Sequence, residues 1–287
     1  MSPLSDPAIV VGVDGSSPGA TAVTWAARRA ALTRTRIHLV HAFAADLPML
    51  GFGEVDDRDV ITTYANNLLR DATARVHSLA PEVHVTTSLA RGFAAPALIA
   101  SSHDAVAVVI GATGHGLLSR MSIGAVAMQV ATHAASPVVL VGDNQGAHSA
   151  GGRVVVGVDT SENSLRALDR AVREAVLTAV PLEVVHVWQA SSPADPTLLG
   201  GSSWPRYEQQ INEAVARTLA TAGPHAELPV SVQVARGNPA TVLAERSEGA
   251  SLVVVGARGA GGFSGLHVGS VALALLGHSR APLALIR

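Results

Sequence analysis

From Ala8 the chain reads AIVVGV, a run without a polar side chain. Uninterrupted apolar runs of this length suit a strand buried on both faces. PGATAVTWAARRAAL follows, with apolar residues recurring every three to four positions, the period of a helix with one face on a core. IHLVHAF predicts a second strand, and after a long polar stretch a helix is expected from about Val60 to Leu79. VHVTTSLA predicts a third strand, residues from about Ala95 to Ser101 a short helix, and AVAVVIGA a fourth strand. A helix from about Gly124 to Ala134 and the strand PVVLVG close the series. The first and fourth strands are almost continuously apolar, as central strands covered by helices are. Five strands alternating with four helices predict a doubly wound, five-stranded parallel α/β sheet, because parallel neighbours need crossover helices.

The whole pattern then recurs. VVGVDGS at Val10 returns as VVGVDTS at Val155, which sets an offset of 145 residues between Asp14 and Asp159. The same offset relates His41 to His186, Gly92 to Gly237, and Pro137 to Pro282. It also relates Gly111, Gly114 and Gly124 to Gly256, Gly259 and Gly269. One offset for every pair means two tandem copies without net insertion. Residues 1–143 and 152–287 are the expected domains, joined by the polar, Gly-rich stretch DNQGAHSAGG.

Composition narrows the function. Of 287 residues 48% are hydrophobic and 15% charged, which fits buried sheet and opposes disorder. A net charge of −2 and 3% aromatic residues give no footing for nucleic acid or an anionic membrane. There is no cysteine, so disulfides, thiolate metal sites and thiol catalysis are excluded. All twenty basic residues are arginine, which removes Schiff-base chemistry and the phosphate lysine of a Walker loop. MSPLSDP has no signal-peptide pattern and no run approaches eighteen apolar residues, so a cytoplasmic protein is expected.

The candidate chemistry lies after the fourth strand of each copy. GARGAGGFSGLHVGS, from Gly256, places six glycines in fifteen residues between a strand and a helix. Ligands of an open parallel sheet sit beyond the strands' carboxyl ends, where the strand order reverses. Glycine there admits close backbone approach, and the next helix turns N–H groups and a positive dipole end toward an anion. A phosphate chain is the expected occupant. The first strand's tip, GVDGSS or GVDTSE, converges on the same place and does not match the dinucleotide fingerprint GxGxxG.

What the loop does match is G-x2-G-x9-G-[ST], as Gly256, Gly259, Gly269 and Ser270. With an aspartate ending the first strand and the whole arrangement doubled, the chain resembles the ATP-binding subclass of the universal stress protein family over essentially its full length. The tandem form resembles that of mycobacteria. The resemblance implies a Rossmann-like fold of the adenine nucleotide alpha hydrolase type, with the last strands of the two sheets associating. An intramolecular pseudo-dimer or a homodimer is implied likewise. In the second copy Gly157 and Asp159 would lie beside the nucleoside and the Val185 backbone near adenine. Gly256, Ala257, Arg258, Gly259, Ala260, Gly261 and Gly262 would wrap the ribose and phosphates. Gly269, Ser270 and Val271 would offer backbone N–H groups, and the Ser270 hydroxyl, to the phosphates. In the first copy Gly12, Asp14, Val40, Gly111, Gly114, Gly116, Gly124, Ala125 and Val126 stand in for these. Mg²⁺ would ride on phosphate oxygens rather than on a protein cage.

Ala125 stands where Ser270 does, and the first loop carries Leu117, Leu118 and Met121 in place of glycine-rich sequence. Weaker ATP binding is therefore expected in the first copy. Asp14 and Asp159 also suit a turn or helix-cap role, since a serine follows each within two residues. His41 and His186 are expected to be packed or bonded to backbone, and His115 and His267 occupy non-equivalent loop positions. Trp25, Trp188 and Trp204 read as core or rim residues, and the long Pro/Gly/Ser-rich segment after Trp188 as a candidate lid. A nucleotide-dependent regulator of stress response or growth, without enzymatic turnover, is the expected function. The loop offers no acid to hold a catalytic metal or orient water. A slow ATPase or nucleotidyl-transferring enzyme is the alternative, and an NAD-dependent oxidoreductase the least favoured.

Overall fold

A computed structural model describes residues 7–43, 58–114, 123–143, 152–159, 161–188, 204–222, 228–259 and 268–287. The chain divides into two compact units, Met1–Gly146 and Ala147–Arg287. In the first, the elements run β1 (Ala8–Gly12), α1 (Ser17–Thr33), β2 (Arg36–Phe43), α2 (Arg58–Leu79) and β3 (Val85–Arg91). Then come α3 (Ala94–Ser101), β4 (Ala105–Gly111), α4 (Ala125–His133) and β5 (Val138–Val141). The second unit repeats them as β6 (Arg153–Gly157), α5 (Glu162–Thr178), β7 (Leu182–Trp188), α6 (Trp204–Ala222) and β8 (Val230–Arg236). It ends with α7 (Pro239–Arg246), β9 (Ala250–Gly256), α8 (Ser270–His278) and β10 (Leu283–Ile286).

Every strand pairing within a unit is parallel. The order is β3-β2-β1-β4-β5 in the first unit. In the second it is β8-β7-β6-β9-β10. The doubly wound α/β fold expected from the apolar runs is therefore present twice. Val10 and Val11 of β1, Val108 and Val109 of β4, and their counterparts Val155, Val253 and Val254 are fully buried. Each central pair of strands is thus the driest part of its unit, and their tips carry the glycines.

The helix beginnings follow from local chemistry. Ser16 accepts a bond from the Gly19 N–H at 3.1 Å and Ser161 one from the Ser164 N–H at 3.2 Å. Each serine thereby satisfies an amide that the first helical turn leaves without a partner. Both helices end in a left-handed residue that is not glycine, Arg34 (φ 51°) and Ala179 (φ 53°). This conformation costs an L-residue about 1–2 kcal/mol. It is offset by closing bonds, Thr35 N–H to the Ala30 carbonyl and Val180 N–H to that of Ala175, both 3.1 Å.

Two details depart from the pattern reading. Strand β3 starts at Val85 rather than Val83, because the Val83 N–H bonds the Ala80 carbonyl in the turn that closes α2. The copies also differ inside the sheet. His38 of β2 is buried, with Nδ1 2.8 Å from Thr86 Oγ1 and Nε2 3.1 Å from Ser88 Oγ. Its counterpart Glu183 is equally buried but is held by ion pairs to Arg153 and Arg246. Burial, and then the nearby Arg36 charge, lower the His38 pKa below its ordinary value. The candidate lid after Trp188 lies outside the described residues.

Candidate functional site

Strand order reverses between β1 and β4, and again between β6 and β9, so the chain leaves the two strands of each pair in opposite directions. A crevice opens at their carboxyl ends. It forms a cavity of about 500 Å³ in the first unit and about 430 Å³ in the second. Both volumes fall in the range of small-molecule sites, about 300–1,000 Å³.

Most of the expected residues meet at these cavities. Gly12 and Asp14, Val40, Gly111 and Gly114, and Gly124, Ala125 and Val126 line the first. Gly157 and Asp159, Val185, Gly256, Arg258 and Gly259, and Gly269, Ser270 and Val271 line the second. Gly116, Ala260, Gly261 and Gly262 lie outside the described residues, as do His115 and His267. Ala257 is not part of the lining. It is buried, its N–H bonds the Ile286 carbonyl at 2.7 Å, and its own carbonyl takes the Gly269 N–H at 2.7 Å. Ala257 therefore ties β9 to β10 and to the start of α8 rather than wrapping a ligand.

That last bond corrects a second expectation. The Gly269 N–H is spent on Ala257, as the Gly124 N–H is on the Ala112 carbonyl at 3.0 Å, so neither is offered to phosphate. The N–H groups of Ser270, Val271 and Ala272 belong to the first turn of α8, whose amides have no partner within the helix, and all three residues line the cavity. The helix dipole adds its positive end at the same point.

The glycines are explained by what surrounds them. A Cβ at Gly12 would sit 2.9 Å from Ile110 Cγ2, and one at Gly157 2.8 Å from Leu243 Cδ1. A Cβ at Gly259 would fall 2.4 Å from Asp159 Oδ2, so the carboxylate lies against bare backbone. Asp159 Oδ1 accepts bonds from Ser161 N–H at 3.1 Å and Ser161 Oγ at 2.6 Å. Asp14 holds Ser16 in the same way, at 2.9 and 2.6 Å. The aspartates thus fix the capping serines and border the cavity together. His41 and His186 place Nδ1 2.7 and 2.8 Å from the carbonyls of Val13 and Val158. Each ring therefore donates from Nδ1 to backbone, the role expected of them.

An apolar floor went unnoticed in the sequence. Leu98, Ile110, Ile123 and Ala42 line the first cavity; Leu243, Val255, Val268 and Val187 occupy the same places in the second. Each pair obeys the 145-residue offset and stays apolar. That repetition was the available signal, hidden because such residues look like ordinary core. A polar, glycine-walled end beside an apolar end suits a ligand that is itself anionic at one end and flat and apolar at the other.

Comparison with known proteins places the chain in a family. A model of the universal stress protein family matches residues 7–142 and, separately, 152–287. The chain belongs to the universal stress protein family. A universal stress protein of Mycolicibacterium smegmatis is 33% identical to it, with 97% of this chain and 96% of that protein covered. A universal stress protein of Mycobacterium tuberculosis is also 33% identical over the same shares. Among solved structures, a universal stress protein from Archaeoglobus fulgidus shares the fold, with a TM-score of 0.71, 19% identity and 99% of each chain covered. The family's tandem form is thus present here along the full chain. No helix among the described residues is long and apolar enough to cross a membrane.

Proposed function

We propose that this universal stress protein binds ATP at the crevice of each unit and acts as a nucleotide-dependent regulator in stress response or growth control, not as an enzyme. The observation that carries the reading is the composition of the cavity wall. Bare glycine backbone and the first amides of α8 form one end, and the apolar floor of Leu243, Val255 and Val187 forms the other. The first end suits phosphates and the second a purine. Ser270 adds a hydroxyl donor in the second unit, which Ala125 removes in the first. No group of three or more His, Asp or Glu side chains suited to a metal occurs among the described residues. Mg²⁺ would be carried on phosphate oxygens, neutralising their charge.

The chemistry of the described lining supports a reading without turnover. Asp159 is the carboxylate there, and it already accepts two bonds from Ser161, which suits it to building the site rather than to taking a proton. Mass spectrometry of nucleotide released from the purified protein, with calorimetry on stripped protein, tests the proposal. ATP recovered from the preparation and rebound with magnesium is the expected result. Stripped protein that ignores ATP at millimolar levels refutes it. Sustained hydrolysis abolished by Asp159→Ala would replace the regulator with the enzyme.

A further inference from the structure

The two cavities have nearly the same walls and different charge. Arg258 lines the second cavity, and its counterpart in the first is Thr113. Arg287 follows Ile286, whose carbonyl takes the Ala257 N–H at 2.7 Å, so β10 delivers a second guanidinium beside the loop that bears Arg258. Gly142 holds that place in the first unit. Burial lowers the Arg287 pKa from its ordinary value, and the Arg258 charge lowers it further, so the two cations feel one another. The aspartates do not distinguish the cavities, since Asp14 lines the first as Asp159 lines the second. The difference in charge is that of Arg258 and Arg287 against Thr113 and Gly142.

We propose that Arg258, backed by Arg287, makes the second cavity select adenine nucleotides by their number of phosphate groups, taking the triphosphate over the monophosphate, while the first cavity reads the nucleoside with little discrimination by phosphate. The inference rests on the nucleotide-binding reading above. Arg258 in the cavity wall, with a second like charge beside its loop, suits an anion with several oxygens, to which a guanidinium offers paired donors. The amides of α4 and α8 supply the first phosphate contact in both units, so the base affinity is shared and the difference resides in the rim. A chain built this way carries one site that fills when triphosphate is abundant and one that stays filled as triphosphate falls to monophosphate.

The test is calorimetry of ATP and AMP on the full chain, in EDTA and again with magnesium. Gly124→Val is used to close the first cavity and Gly269→Val the second. Both positions have extended backbone (φ −67° and −76°), and a Cβ there makes only ordinary contacts; circular dichroism of each variant verifies that the chain is folded before binding is measured. With the first cavity closed, Arg258→Ala is expected to lower the ATP-to-AMP affinity ratio about tenfold to a hundredfold, the effect of one charge-assisted bond. Arg287→Ala lowers it less, in the same direction. With the second cavity closed, Thr113→Arg raises the ratio. An unchanged ratio in Arg258→Ala and Thr113→Arg, with binding intact, overturns the selectivity and leaves the nucleotide reading standing. An unaltered chain that binds neither nucleotide overturns both.

Discussion

Gly256 and Gly269 belong to one motif, yet the structure assigns them different work, and an alanine at each separates binding from folding. At Gly269 the backbone is extended (φ −76°), and an added Cβ would lie 3.5 Å from the Gly259 amide nitrogen and 3.6 Å from the Ala257 carbonyl oxygen. These are ordinary contacts. Loss of glycine's unfolded-state freedom stabilises by about 0.4–1 kcal/mol. Alanine is a poorer helix cap than glycine, which offsets part of this. Gly269→Ala is therefore expected to match the parent's stability within about 1 kcal/mol. Its methyl, however, stands between the loop and the first amides of α8, where phosphate is proposed to rest, and ATP affinity should fall at least about tenfold. At Gly256 a Cβ would lie 2.9 Å from the Arg258 carbonyl oxygen and 3.0 Å from Asn163 C, both backbone atoms. The start of α5 must shift to admit it, an overpacking that costs about 1–3 kcal/mol. Urea unfolding and calorimetry distinguish the two. At ATP one hundred times the second site's parental Kd, that site should contribute about 2.7 kcal/mol in the parent and about half that or less in Gly269→Ala. A Gly269→Ala protein that binds ATP like the parent, or a Gly256→Ala protein that is equally stable, refutes the assignment.

Two further outcomes follow from differences between the copies. Ser270→Ala should weaken ATP binding in the second unit by about tenfold to a hundredfold, and Ala125→Ser should strengthen it in the first, because one hydroxyl bond to a charged group is exchanged; calorimetry resolving both sites checks this. His38 is held neutral by burial, with its folded pKa below the ordinary 6.5, so the unfolded chain takes up its proton first as pH falls. The contribution is therefore intact above about pH 6.5 and is lost as pH drops from there toward the folded pKa. The stability loss on urea unfolding between about pH 7.5 and about pH 5.5 should be smaller in His38→Gln than in the parent.

Much of this was legible because the chain states its plan twice. Continuous apolar runs such as AVAVVIGA admit one place in a parallel sheet, and the 145-residue offset separated motif from accident at Asp14, Gly111 and Gly124. Three things were hidden. A bond such as Gly269 N–H to the Ala257 carbonyl depends on how a loop folds back, which side-chain pattern does not encode. The floor formed by Leu98 and Leu243 is written in residues that any core would use. His38 and Glu183 share a position and a depth with different partners, Thr86 and Ser88 for the one, Arg153 and Arg246 for the other. Only three-dimensional neighbours reveal that both are satisfied.

The crevice of the second unit draws its walls from Gly157, near that unit's beginning, through Val185 and Leu243 to Ala272, close to its end. Whatever fills it bridges chain segments separated by most of the domain, on both sides of the strand reversal. Fraying of either flank empties it. Occupancy thus couples the edges of the sheet into one cooperative block, and amide-proton exchange should slow in β8 and β10 together, although neither strand lines the crevice.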